Sequence, residues 1–394
     1  MSTGTLQPRR GAMSLGKRWD RWLNGLLQRA ARPESLSRVA RLPLGGFFAR
    51  RQARALFDLV SGFTATQTVL ACVRLRVFER LLAEAQTARS LAPGLGLTEE
   101  GCQLLLDAAT ALGLLRRRWT GRYGPTPLAL AIVGLPGVRE MIEHNTLLYD
   151  DLRDPVARLQ GRPGPALAAF WPYAGDGEEA PEAPAAEAYS ALMASSQGMI
   201  ASEVLSAYDF SSHRRVMDVG GGNGAFLAAL ADAVPGPRLV LCDLPAVAHL
   251  AEARFRARPD AQRFAVHPVD FLKTPLPADA DLITLVRVLH DQDDERAERL
   301  LARVAKALAP GAKLLVAEPL RHTAGAQRFS DVYFSLYLRA MGRGRPRSEG
   351  EVRTLLEAAG FRRVRRLPTA VPLQTSVLLA ERPALGCCFC HQSA

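Results

Sequence analysis

VMDVGGGNG, residues 216–224, runs from an apolar stretch into four glycines in five positions, and its reading decides the architecture of the C-terminal half. An apolar run that stops at glycine, followed by AFLAALA, describes a strand, a tight turn and a helix. From there the patterns alternate. Strands are expected over Arg215–Val219, Arg238–Cys242, Arg263–His267, Asp281–Val286 and Ala312–Ala317, with helices between them. Such alternation builds an α/β fold in which a parallel sheet is covered on both faces and ligands sit outside the C-terminal strand ends.

The glycine loop is also the first chemical signal. Gly220, Gly222 and Ala225 fit the dinucleotide fingerprint in its G-x-G-x-x-A form, and Asp243 ends the next strand, where a ribose-binding acid belongs. NAD therefore competes for this loop. Asp218 argues against it, because a carboxylate just before the turn is poorly placed beside a pyrophosphate and well placed beside an ammonium group. S-adenosylmethionine (SAM) carries an ammonium, a carboxylate, a sulfonium and a ribose diol. D-x-G-x-G with an acid on the second strand serves all four: Gly220, Gly222 and Gly224 allow close backbone approach, and Asp243 accepts from the ribose hydroxyls.

RVLHDQDDE, residues 287–295, places His290 after an apolar strand and before acids that open a helix. A neutral imidazole at a strand end is positioned to take a proton. The plainer reading is helix entry, with Asp291, Asp293 and Asp294 serving the cap and the helix dipole, although histidine itself is an indifferent cap.

Composition bounds the rest. A chain of 394 residues with 48% hydrophobic content is long enough for two domains. No apolar run approaches the ~18 to 20 residues of a membrane span, and no secretory apolar core opens the chain, so a cytoplasmic protein is expected. Cys72, Cys102 and Cys242 lie in apolar segments without framework spacing and read as reduced core thiols. In CCFCHQSA, residues 387–394, Cys387, Cys388, Cys390 and His391 crowd too closely for zinc, so a tail without metal is expected.

The formal charge of +11 is concentrated at the front, where the basic residues from Arg9 to Arg54 are opposed only by Asp20 and Glu34. Within residues 15–30, Leu15, Trp19, Trp22, Leu23, Leu26 and Leu27 recur at helical spacing, with Lys17, Arg18, Arg21 and Arg29 largely off that stripe. Two readings stand: peripheral contact with an anionic membrane, or packing on the protein's own core. Residues 55–135 give helices, a Gly-Pro turn and, around Gly121, two short strands, which together form a winged helix. Its second helix, TEEGCQLLLDAATALG, is acidic and apolar, so dimerisation is expected and nucleic-acid binding is not. The division expected is a basic extension (1–45), a winged-helix dimerisation domain (46–140), connecting helices and linker (141–205), a cofactor-binding domain (206–385) and a tail (386–394).

VMDVGGGNG, LCDLPAV, VDFL, RVLHDQDDERAERLL, APGAKLLVAEPL and LEAAGF resemble, in order, the motifs of the class I SAM-dependent O-methyltransferases with a winged-helix dimerisation domain. The resemblance runs from about residue 55 to 380. ARALFDLVSGF, TLLYDDLRDPVARL and DVYFSLYLRAMGRGRPRS resemble more narrowly the bacterial members that act in acyclic carotenoid synthesis.

This resemblance implies a Rossmann-like domain with a mostly parallel seven-stranded sheet, a homodimer, and a lipid-soluble acceptor methylated on a tertiary 1-hydroxyl. It implies His290 as general base with Glu318 orienting it, and Leu244, Asp270, Phe271 and Arg287 beside the cofactor. His144, Tyr149, Tyr333, Tyr337 and Met341 become acceptor-pocket candidates, although a stripe such as Val332, Leu336 and Ala340 is more often core. The family's second carboxylate, in G-x-E-R-T, is missing: this chain reads GRPRS, with Pro346 at the glutamate position. Either Glu318 holds the histidine alone, or the acceptor departs from the family's usual phenols. Two rival functions remain: methylation of a soluble phenolic or polyketide, and a winged-helix regulator that uses the cofactor fold as a sensor.

Overall fold

The structure, a computed structural model, describes residues 15–32, 43–170, 197–371 and 375–384. The Cys-rich tail and residues 171–196 of the expected connecting segment lie outside the described residues. In chain order the front holds α1 (Leu15–Ala30), α2 (Pro43–Val60), α3 (Gly62–Arg74), α4 (Val77–Ala83), α5 (Ala88–Leu95) and α6 (Glu99–Ala111). Then come β1 (Leu115–Arg117), β2 (Tyr123–Pro125), α7 (Pro127–Gly134), α8 (Val138–Asp151), α9 (Pro155–Leu159), α10 (Pro165–Phe170) and α11 over residues 197–207. The remainder is β3 (Arg215–Val219), α12 (Ala225–Ala233), β4 (Arg238–Asp243), α13 (Pro245–Arg256), β5 (Phe264–Pro268), β6 (Ala280–Val286), α14 (Asp294–Ala307), β7 (Leu308–Glu318), α15 (Phe334–Met341), α16 (Glu349–Ala358), β8 (Arg362–Leu367) and β9 (Ser376–Glu381).

The chain divides into two units, residues 1–75 with 88–112 and residues 76–87 with 113–394. In the first, the pattern that reads as one long helix is broken at Ser61, where α2 and α3 bend by 53°. The Ser61 hydroxyl donates to Phe57 O at 2.6 Å, a local bond that competes with helix continuation. α5 runs through Pro93, and the turn falls at Gly96 (φ 67°), not at the Gly-Pro step; burial of Leu91, Ala92 and Leu95 offsets the backbone bond that proline removes. Thr98 caps α6 by accepting from Gly101 N at 3.1 Å. On α1 the apolar stripe is exposed, with Trp19 and Trp22 at 61% and 56% and their rings 4.9 Å apart. Among the described residues no single helix is long and apolar enough to cross a membrane, although the bent α2–α3 pair is so by length and composition.

In the second unit β1 and β2 pair antiparallel around Gly121 (φ 77°). The main sheet has the order β5-β4-β3-β6-β7-β9-β8, parallel except at β9 and β8. Its inner strands carry apolar residues toward both faces because both are covered, with Asp218 and Thr284 as buried polar exceptions. Met217, Val240, Ile283 and Leu314 point into one core with Leu300, Leu301 and Val304 of α14 and Val352 and Leu356 of α16. Their neighbours Val216, Leu239, Leu282 and Leu315 point into the other, with Val204 of α11 and Phe226 and Leu230 of α12. Cys72, Cys102 and Cys242 are buried free thiols, and burial pushes Cys72 and Cys242 up to about 12. The sheet thereby fixes the C-terminal ends of β3, β4, β6 and β7, where the chemistry-bearing side chains collect.

Candidate active site

At the first strand end the chain makes a cradle. Gly220 (φ 74°) turns where a side chain could not fit, since a Cβ there would come within 2.7 Å of Val288. Asp218 is 1% exposed, and register sets it beside Thr284, whose hydroxyl donates to its Oδ1 at 2.6 Å. Its Oδ2 is buried without a hydrogen-bond partner. Burial pushes Asp218 up to about 7, the Thr284 bond opposing and the Asp243 charge adding to the shift. Asp243 uses both oxygens to hold backbone: Oδ2 accepts from Gly222 N and Oδ1 from Leu244 N, each at 2.7 Å. Burial pushes it up to about 6 against those two bonds. Each oxygen still has an acceptor lobe for a hydroxyl. An orphaned buried carboxylate oxygen beside an open glycine cradle fits a ligand carrying both an ammonium and a diol, as SAM does.

His290 sits on a three-residue 3-10 turn, Leu289–Asp291, beyond β6. β6 and β7 are parallel, with Val286 beside Ala317, so Glu318 arrives next to the residues that follow Val286. Arg287 precedes this turn with φ 60°, a strained conformation for a residue other than glycine. Glu318 grips twice: Oε2 is 2.5 Å from His290 Nδ1, while Oε1 accepts from Val288 N at 3.0 Å and Leu289 N at 2.7 Å. The carboxylate therefore orients the ring and fastens its backbone.

Asp291 is a correction to the sequence reading. It does not cap the helix; Asp293 does, accepting from Arg296 N at 2.9 Å. Asp291 turns back, and its Oδ1 lies 3.1 Å from His290 Nε2. The imidazole is thus flanked by carboxylates on both nitrogens. Burial alone would lower its pKa, but Asp291 and Glu318 outweigh burial and raise it; Asp291 is itself raised, by burial first.

An aromatic wall leads away from the histidine. Phe334 meets His290 edge-on with centroids 5.7 Å apart, the Arg287 guanidinium lies over Phe334 at 4.8 Å, and Tyr333 and Tyr337 stack at 5.7 Å. Helix α8 joins it: His144 Nε2 is 2.6 Å from the Tyr337 hydroxyl, and the Tyr333 hydroxyl donates to Asn145 Oδ1 at 2.9 Å. Burial holds His144 down at about 4 and pushes Tyr333 up to about 12, so both are neutral. A π-helical turn, Arg328–Tyr333, sets Phe329 parallel to Tyr333 at 5.3 Å.

The remaining predicted residues divide. Leu244 enters α13 beside Asp243, Tyr149 is half-buried on α8, and Met341 is buried among Leu148, Leu167 and Tyr337. Asp270 closes its own turn by accepting from Leu272 N at 2.9 Å, and Phe271 belongs to the sheet core. Val332 is 56% exposed and Ala340 fully buried, so that stripe is only partly core. Sequence reasoning missed Thr284, Phe334 and Asn145; Thr284 alone left a signal, a polar residue inside an apolar strand beside Asp218. Among the described residues no cluster of three or more His, Cys, Asp or Glu is placed to hold a metal ion.

Comparison with known proteins gives this geometry its family. An O-methyltransferase domain matches residues 149–362, and an O-methyltransferase dimerisation domain matches residues 57–133. The chain is 42% identical over 344 residues to the demethylspheroidene O-methyltransferase of Cereibacter sphaeroides, covering 87% of this chain and 91% of that one. To the enzyme of the same name from Rhodobacter capsulatus it is 44% identical over 342 residues, covering 87% and 85%. The acetylserotonin O-methyltransferase of Mus musculus is 36% identical over 345 residues, covering 80% and 85%. Among solved structures, human N-acetylserotonin methyltransferase in complex with SAM matches with a TM-score of 0.70 at 26% identity, over 84% of this chain and 98% of that one. Mitomycin 7-O-methyltransferase matches with a TM-score of 0.69 at 28% identity, over 85% and 99%. SAM, and not NAD, is the cofactor. The chain belongs to the class I SAM-dependent O-methyltransferases that carry a dimerisation domain, and it is an enzyme that methylates oxygen.

Proposed function

We propose that this enzyme methylates the tertiary 1-hydroxyl of an acyclic carotenoid, with His290 accepting the hydroxyl proton. The observation that carries the acceptor is the match, along most of both chains, to two demethylspheroidene O-methyltransferases at 42% and 44% identity. The wall of Phe334, Tyr333 and Tyr337 supports it, because flat rings with few charges suit a polyene.

When bound, SAM supplies the electrophilic methyl group. Asp218 and the glycine cradle would hold its ammonium end and Asp243 its ribose. A tertiary alcohol is crowded and only weakly acidic, so the base must hold a proton firmly and accept it late, as the acceptor oxygen bonds the methyl carbon and the methyl–sulfur bond breaks with its electrons returning to sulfur. Carboxylates at both nitrogens give His290 that avidity, and Glu318 fixes the ring's orientation. Alignment of the hydroxyl by the aromatic wall adds the ordering contribution, up to ~7 to 11 kcal/mol in well-oriented systems.

A lipid-soluble acceptor must leave a membrane. The exposed stripe of Trp19, Trp22, Leu23, Leu26 and Leu27 on α1, with Arg18, Arg21 and Arg29 on the same helix, supports peripheral contact of residues 15–30 with an anionic bilayer. In this reading residues 1–45 serve the membrane, 46–140 the homodimer and 206–385 the chemistry. The purified enzyme is to be incubated with methyl-labelled SAM and detergent-dispersed 1-hydroxy acyclic carotenoid, beside a phenol panel. Label in a carotenoid methyl ether is the expected result; label in phenols alone refutes the acceptor. Trp19→Ala/Trp22→Ala is expected to weaken binding to phosphatidylglycerol vesicles by about tenfold or more; unchanged cosedimentation refutes the membrane role.

A further inference from the structure

The turn that carries His290 is one 3-10 turn, too short to hold itself in place. Besides Glu318, which holds the backbone N–H groups at its start, its outside support comes from the segment before α16. Arg347 is 2% exposed; its Nη1 donates to Leu289 O at 2.7 Å and its Nη2 to Gln292 O at 2.9 Å. These carbonyls bracket His290, one just before it and one two residues after. Nη2 and Nε also reach Asp294 Oδ1, at 2.7 Å and 3.2 Å, so the guanidinium is charge-balanced at the start of α14. The backbone beside it does related work: Arg345 N donates to His290 O at 2.9 Å, and a Cβ on Gly344 would lie 2.3 Å from that same oxygen. Pro346, between them, is buried and offers neither a side-chain donor nor an N–H. Ser348 and Glu351 form a capping box that anchors the segment to α16.

We propose that Arg347 is a positioning residue for methyl transfer: its guanidinium clamps both ends of the turn bearing His290, so that the imidazole meets the acceptor oxygen in a fixed place. The planar fork is suited to this, because it reaches two carbonyls and a carboxylate at once, and lysine cannot. The inference rests on the reading of His290 as the base.

The test is Arg347→Lys in the full-length enzyme, assayed with SAM and detergent-dispersed 1-hydroxy acyclic carotenoid beside His290→Ala. The expected result is a kcat lower by about 10- to 100-fold, with acceptor KM, SAM dissociation constant and melting behaviour close to wild type. A kcat within twofold of wild type, while His290→Ala is inactive, overturns the clamp and leaves the base reading intact. A kcat loss matched by an equal loss of SAM affinity also overturns it, because that is the signature of a general structural role. Full turnover by His290→Ala defeats the base reading and the clamp with it. Should Arg347→Lys not fold, Gly344→Ala decides: it displaces the His290 carbonyl without removing a buried charge, and a folded variant with wild-type kcat refutes the proposal.

Discussion

Asp218 and Asp243 on one side, and His290 on the other, stand at the ends of strands of one sheet, yet they are supported in opposite ways. On the cofactor side the supports are uncharged groups close to the glycine loop: Asp243 is held by Gly222 N and Leu244 N, and Asp218 by the Thr284 hydroxyl on the adjoining strand. On the acceptor side the supports are charged side chains, with Glu318 and Arg347 converging on one short turn. The difference teaches which errors each side tolerates. A cradle built from backbone presents a fixed shape, and substitution there changes affinity. A base held by charged side chains depends on alignment, and substitution there changes rate.

That contrast can be broken at several points. The largest effect is expected for His290→Ala: kcat should fall about 10²- to 10⁴-fold while SAM affinity, measured by calorimetry, stays within threefold. Glu318→Gln should lose on the order of 10²-fold in kcat, because the amide cannot accept from Nδ1–H while serving both backbone N–H groups; a fall in SAM affinity alone would erase the distinction. Asp218→Asn should act on affinity instead. Asp218 ionises near about 7 without ligand, so SAM binding to wild type should tighten by up to about tenfold per unit as pH rises toward 7, and the asparagine variant should lack this slope. The smallest effect concerns stability. Asp218 and Asp243 have folded pKa values above the unfolded one, so their contribution is full below the unfolded carboxylate range and is lost as pH rises through about 6 and 7. The melting temperature of the cofactor-free protein should therefore decline across that window, and less so in Asp218→Asn.

Legibility in the sequence follows the same divide. The cradle was readable because its parts lie within one strand–turn–helix–strand unit, where glycine spacing and a following acid are local signals. His290 with Glu318 was readable only through family likeness, since 28 residues separate them and the parallel register of β6 and β7 brings them together. Asp291 looked like its neighbours Asp293 and Asp294; only the 3-10 turn distinguishes the acid that folds back from those that face the helix. Arg347 left no signal, because an arginine in GRPRS reads as solvated until its burial is known. Phe334 was not singled out in the sequence, because its edge-on contact with the imidazole depends on how α15 follows a π-helical turn.

The most direct test of the account is the pH dependence of single-turnover methyl transfer at saturating SAM, in wild type and in Glu318→Gln. A base must be deprotonated to act, and the flanking carboxylates raise the pKa of His290, so the rate should climb with pH along a limb lying above the ordinary histidine range. In Glu318→Gln that limb should move to lower pH while the plateau falls. A flat profile in wild type, or a limb that Glu318→Gln leaves in place, would contradict proton acceptance by a carboxylate-held His290.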